Sequence, residues 1–127
     1  MRYKEWMERK WLILGSVFCF FGVALGAFGA HALRQRLSEH SLTIYEVGVR
    51  YQMYHGIGLL ILGLITQRHP NALGNLAGWF FVGGIVIFSG SLYALAITGQ
   101  KWLGAITPLG GISLLLGWIS LVCSLRA

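Results

Sequence analysis

Four stretches of the chain carry no Asp, Glu, Lys or Arg: residues 11–33, 51–67, 69–100 and 102–125. Inside them apolar residues follow one another, as in Leu59-Leu60-Ile61-Leu62. That pattern lacks the period-two alternation of a transmembrane β-strand, so helices are predicted. Crossing a hydrocarbon core of about 30 Å takes about 20 helical residues at 1.5 Å each. The first stretch, Trp11 to Leu33, meets that length. The second has 17 residues, at the short limit, with Arg50 and Arg68 placed to snorkel at its ends. The third is too long for one helix and too short for two. Its polar shoulders, His69-Pro70-Asn71 and Thr98-Gly99-Gln100, trim it to one span near 72–97. The fourth gives a last span near 104–125.

The segment 34–50 is the only sizeable piece outside these stretches. Ser38 followed by Glu39 reads as a helix start with an acid in its first turn, and Glu46–Arg50 is a favourable i,i+4 pair. Leu42, Tyr45 and Val49 give that helix one apolar face. The predicted fold is therefore all-α: a polytopic membrane protein forming a single domain over 1–127. Its architecture is an antiparallel four-transmembrane-helix bundle, with an interfacial amphipathic helix at about 38–50 between spans one and two.

Composition supports the membrane reading. Hydrophobic residues are 56% of the chain and charged ones 11%, against about 25% charged in soluble domains. These figures exclude a disordered chain and a disulfide-rich secreted scaffold. Ala30-His31-Ala32 mimics a signal-peptide cleavage site, but the apolar run before it is longer than the 7–15 residues of such a signal, so a retained helix is expected.

Arg2, Lys4, Arg9, Lys10, Arg68 and Arg126 fall on one side of a four-span chain, and Arg34, Arg36, Arg50 and Lys101 on the other. The positive-inside rule then places both termini in the cytoplasm. The net charge of +6 serves this anchoring, and no basic patch interleaved with stacking aromatics points to nucleic acid. The lipid bilayer is the expected partner. Gly22-x-x-x-Gly26 and Gly74-x-x-x-Gly78 allow close helix packing, either within the chain or with a second copy or another membrane protein. Trp6, Trp11, Trp79, Trp102 and Trp118 read mostly as interfacial anchors. Cys19 and Cys123 are expected as free thiols.

Four motifs, in order along the chain, are familiar: Gly26-Ala27-Phe28-Gly29-Ala30-His31-Ala32-Leu33, Arg50-Tyr51-Gln52-Met53-Tyr54-His55, Ser89-Gly90-Ser91-Leu92-Tyr93, and Leu103 through Gly111. Together they resemble the YgdD/YwdK-like family of small four-helix membrane proteins, domain-of-unknown-function family 423. The resemblance implies an integral bacterial membrane protein and brings no established reaction with it. The chain departs from the pattern at Val47-Gly48-Val49, where relatives carry residues such as Thr-Ala, and Gly48 is expected to loosen the helix there.

No carboxylate lies inside any predicted span, which argues against a proton-coupled exporter of the small multidrug-resistance type. His31 and His55 are the ionisable groups within the apolar stretches. With span one ending where span two begins, both are expected near one membrane face. Arg50, Tyr51, Ser89, Tyr93, Lys101 and Thr107 are expected at similar depth there. Thr107-Pro108 reads as an N-cap and first helical position, adding a helix N-terminus to the cluster. A ligand-binding site for an anion or lipid headgroup at the outer face is one reading of this cluster. Helix capping and interhelical hydrogen bonding is the other.

No Ser-His-Asp, Cys-His, phosphate-loop or paired-carboxylate pattern appears, and no metal or cofactor set is expected. The favoured function is a non-catalytic scaffold, accessory or lipid-interacting protein. The alternative is a small transporter or binding protein for an anion or neutral solute.

Overall fold

The computed structural model describes residues 2–126. It is helical throughout. Helix α1 (Tyr3–Val23) runs without interruption into a π-helical stretch, Ala24–Gly29, and a last turn α2 (Ala30–Leu33). Helices α3 (Glu39–Arg68), α4 (Ala72–Thr98) and α5 (Leu103–Arg126) follow. Three rods are long and apolar enough to cross a membrane: Glu5–Leu33, Ala72–Thr98 and Leu103–Arg126. With 30 residues α3 is long enough, about 45 Å by the helical rise. It falls outside that set because Glu46, Arg50, Gln52 and His55 interrupt its apolar run in the N-terminal and middle turns.

The main packed pairs, α1 with α3, α3 with α4 and α4 with α5, each run antiparallel, as the contact register shows. Along α1 and α3, Leu12 meets Gly63, Cys19 meets Gly56, Met53 meets Gly22, and Tyr45 meets Gly29. Tyr93 of α4 lies on Gly48 of α3, whereas Thr66 lies on Gly74. Between α4 and α5, Phe88 meets Gly110 and Phe81 meets Gly117. The connections are short. Residues 69–71 join α3 to α4, with Asn71 Oδ1 capping α4 by accepting from Gly74 N–H at 2.7 Å. Gly99, at φ 71°, ends α4 in the left-handed conformation that glycine adopts without strain. Trp11, Leu59, Leu62, Phe81, Ile85 and Leu114 form the centre of the core. Large apolar side chains such as Phe20, Phe28, Leu109 and Leu115 point outward, the inside-out distribution that a hydrocarbon solvent requires.

Two expectations need correction, at Gly48 and at Thr107-Pro108. The helix expected to start at Ser38-Glu39 and run into span two does so: Ser38 caps α3, which continues past Arg50 without a break. The reason is packing: Tyr45 is buried and donates its hydroxyl to Leu25 O at 2.6 Å, so this half of α3 is held against the π-helical stretch. Gly48 does not loosen the helix. It is buried, and its missing side chain admits the Tyr93 ring. Thr107-Pro108 is not a helix start either, because α5 begins at Leu103 and Pro108 lies inside it. The turn at Gln100–Trp102 launches α5 early, with Leu103 N–H donating to Gln100 O at 3.1 Å. The Thr107 hydroxyl returns to Leu103 O at 3.3 Å beside the gap that the proline leaves.

The four glycines considered for docking are occupied within the chain: Gly22 by Met53, Gly26 by Val49, Gly74 by Thr66 and Gly78 by Trp11. A second copy seated on those faces would have to displace these contacts.

Candidate functional site

The polar side chains inside the helices form a connected set of interhelical hydrogen bonds. Gln52 of α3 is its centre: its Nε2 donates to Phe18 O of α1 at 2.9 Å, and its Oε1 accepts from the Tyr93 hydroxyl of α4 at 2.6 Å. The Tyr93 ring packs on Tyr45, centroids 5.3 Å apart. Ser89 donates to Gly48 O at 2.6 Å, which ties α4 to α3 again. Ser91 and Thr107 share a hydrogen bond at 2.6 Å, and Ser113 donates to Phe80 O at 2.8 Å, so α5 is tied to α4 at two levels. Among the described residues, no buried side-chain nitrogen or oxygen lacks a partner, as expected where an unpaired polar group costs several kcal/mol in lipid.

His55 belongs to a separate part of the interior. Its Nδ1 lies 2.8 Å from Tyr51 O, and its Nε2 lies 3.0 Å from the Trp118 indole nitrogen. An indole N–H can only donate and a carbonyl can only accept, so the proton sits on Nδ1 and the Nε2 lone pair is used. No lone pair remains for a metal or haem iron. Among the described residues no three His, Cys, Asp or Glu side chains gather in a metal-binding group. Beside His55 a lateral groove of about 420 Å³ opens between α3, α4 and α5, lined among others by Tyr51, Phe88, Pro108, Leu115 and Trp118.

The outer-face cluster read from the sequence is spread over several places. Tyr51 and His55 share the lateral groove. Ser89 and Tyr93 face Gly48 and Gln52 instead, and Thr107 pairs with Ser91. Arg50 lines a smaller depression of about 260 Å³ with Gly26, Tyr45 and Glu46, and Lys101 is exposed in the turn before α5. His31 is exposed and lies twelve residues beyond Cys19, which marks the level of Gly56 beside His55. The two histidines are thus about 18 Å apart along the helix axes. They separate because residues 39–50 pack along the first rod as part of α3, which carries His55 well down the bundle.

Comparison with known proteins places the chain. The family described as "protein of unknown function (DUF423)" matches residues 25–111, from the π-helical stretch to Gly111 of α5. The chain belongs to this family. The DUF423 match contains all four sequence motifs that carried the resemblance. The UPF0382 membrane protein of Staphylococcus epidermidis is 49% identical over 114 residues, covering 90% of this chain and 93% of its own. That of Staphylococcus haemolyticus is 46% identical over 116 residues, covering 91% and 94%. The UPF0382 membrane protein YwdK of Bacillus subtilis is 42% identical over 116 residues, covering 90% and 94%. No solved structure matches.

In this DUF423 chain the residues that hold the interior together include several that the sequence reading passed over. Gln52 sits inside a quoted motif, yet its two-sided amide is the feature that matters. Trp118 read as an interfacial anchor, but its N–H is directed at His55. Trp11 is buried and packs edge-on against Trp79, centroids 5.1 Å apart. A partner 63 residues away, as between His55 and Trp118, leaves no mark in local spacing.

His55→Leu should strand the Trp118 N–H and lower stability by about 1 kcal/mol. Adding Trp118→Phe should recover part of that loss, because the orphaned donor is gone. Melting midpoints in a fixed lipid composition check both.

Proposed function

We propose that this DUF423 protein is a non-catalytic, lipid-interacting element of the bacterial inner membrane, acting as a scaffold or accessory subunit. In this reading it crosses the membrane four times, α3 included, with both termini in the cytoplasm. The observation that carries the reading is the use of the interior polar groups. Gln52, Tyr93, Ser89, Ser91, Thr107 and His55 are each committed to another backbone or side-chain group, which leaves none of these six free to act as an acid, base or nucleophile. The groove beside His55 opens sideways and is lined by rings and aliphatic chains, a surface suited to an acyl chain rather than a solute path.

Purified protein reconstituted in phospholipid vesicles tests this. The reading expects co-purifying phospholipid by native mass spectrometry and no anion or neutral-solute flux above that of empty vesicles. Flux that scales with protein content would establish the transporter alternative instead. For topology, a periplasm-dependent reporter fused after Arg126 should stay silent, and one inserted at 34–38 should be active. The inverse pattern would overturn the orientation.

A further inference from the structure

At the end of the bundle where α1 begins, α3 ends and α4 starts, a depression of about 710 Å³ is lined by Arg9, Lys10, Trp11, Gln67, Asn71 and Asn75, with Glu8 and Thr66 also on its wall. Lys10 is 4% exposed. Its ammonium lies 3.9 Å from the Met7 sulfur and sits over the rings of Trp11 and Trp79, at 4.9 and 5.8 Å from their centroids. Among the described residues it has no carboxylate partner, the one ion pair being Arg2–Glu5 at 3.4 Å. A thioether and two indole faces offset only part of what it costs to withdraw a cation from water.

The same depression receives the start of a 27-residue helix. Asn71 caps one backbone N–H of α4, that of Gly74, and the first-turn amides before it have no intrahelical acceptor. Asn71 and Asn75 line the depression together with Arg9 and Lys10, so the partly positive helix start stands beside both cations. Gln67 Nε2 donates to Glu8 O at 3.2 Å and fixes the α1–α3 wall of the site. A cation enclosed by aromatic rings beside a helix N-terminus, at the membrane surface, is arranged for an anion that arrives in the bilayer plane.

We propose that this pocket binds the phosphodiester headgroup of an anionic phospholipid from the leaflet facing the N-terminus, with Lys10 as the principal charge and Arg9 at the rim. The proposal rests on the membrane-embedded reading above and deepens it by naming the ligand class and its site. The runner-up ligand, soluble phosphate, shares the chemistry but lacks the acyl chains that would hold it against the outward-facing helix surfaces.

The test uses the full chain in nanodiscs of phosphatidylcholine, with phosphatidylglycerol added at increasing mole fraction, or with inorganic phosphate in its place. Retained lipid is counted by native mass spectrometry, and the melting midpoint is followed in parallel. Phosphatidylglycerol should be retained and should raise the midpoint as its fraction grows. Lys10→Met should weaken that retention about fivefold or more, the scale of one basic group at a membrane surface. It should not lower the midpoint in pure phosphatidylcholine, because an uncompensated charge has been removed. Lys10→Arg should keep the preference, and Arg36→Gln, at the other end of the bundle, should leave it unchanged. Equal retention by Lys10→Met, or an equal response to inorganic phosphate, overturns the proposal. Failure of this test in protein that is monodisperse and correctly oriented would leave the four-span reading standing, so the two can fail separately.

Discussion

Gly110→Ala should disrupt the pairing of α4 with α5 and yield protein that extracts poorly or melts well below the parent. A Cβ at position 110 would collide with the backbone nitrogen of Phe88 and come within 2.7 Å of its Cα. Backbone cannot rotate away as a side chain can, so relief requires the two helices to separate along the line that also brings Phe81 against Gly117. The Ser113–Phe80 and Ser91–Thr107 bonds lie on either side of that contact and would lengthen together. Overpacking of this kind costs about 1–3 kcal/mol when the core can adjust, and the upper end applies where it cannot. Gly90→Ala is the matched control. Nothing lies within 4 Å of a Cβ there, and the exchange should be neutral or add about 0.5–1 kcal/mol through helix propensity. Thermal unfolding of the two variants in one detergent and lipid mixture makes the comparison. Similar midpoints would show that the close approach of α4 and α5 does not hold the bundle together.

Gln52→Leu carries the second large effect. It removes the donor to Phe18 O and the acceptor for the Tyr93 hydroxyl in one step, cutting the link between α1 and α4 through α3. A membrane-embedded hydrogen bond averages about 0.6 kcal/mol, but orphaning a buried group costs about 1–3 kcal/mol. The loss should therefore exceed that of Tyr93→Phe, which removes only one donor. The double variant Gln52→Leu/Tyr93→Phe should be clearly less destabilised than the sum of the two, since the stranded hydroxyl is gone. Additive losses would mean that the two side chains do not share a bond in the membrane.

How far the fold could be read from the sequence depended on where charge and turn residues mark helix ends. His69-Pro70-Asn71 and Thr98-Gly99-Gln100 coincide with the connections around α4, because proline, glycine and a capping asparagine act on the backbone locally. Glu46 and Arg50 gave two signals. Their i,i+4 pairing marked a helix that runs on into span two, as α3 does. The charge pattern alone did not show that exposed side chains at 46 and 50 leave Tyr45 and Gly48 free to bury on the other face. Taking the span to start near 51 put His31 and His55 at one depth. The candidate site was less legible than the helices, since its meaning lies in long-range pairing. Ser89, Tyr93 and Thr107 were recognised as polar groups needing partners, but which carbonyl each reaches depends on the helix register. Lys10 counted only as one positive charge among six, and its enclosure by Trp11 and Trp79 follows from α1 and α4 meeting in space.

The π-helical stretch bears on how a change of length is received in the first rod. A π turn accommodates one more residue than an α turn without breaking the rod, so the extra residue is absorbed within Ala24–Gly29. Deleting a single residue there would let the segment close into ordinary α-helix, with the turn that carries His31 still pointing the same way. The carbonyl that receives the Tyr45 hydroxyl, that of Leu25, lies inside the stretch and would be reset. The same deletion earlier, within α1, would rotate everything after it by about 100°. The segment behaves as slack in a rigid coupling, a place where the rod can lose a residue without re-aiming its end.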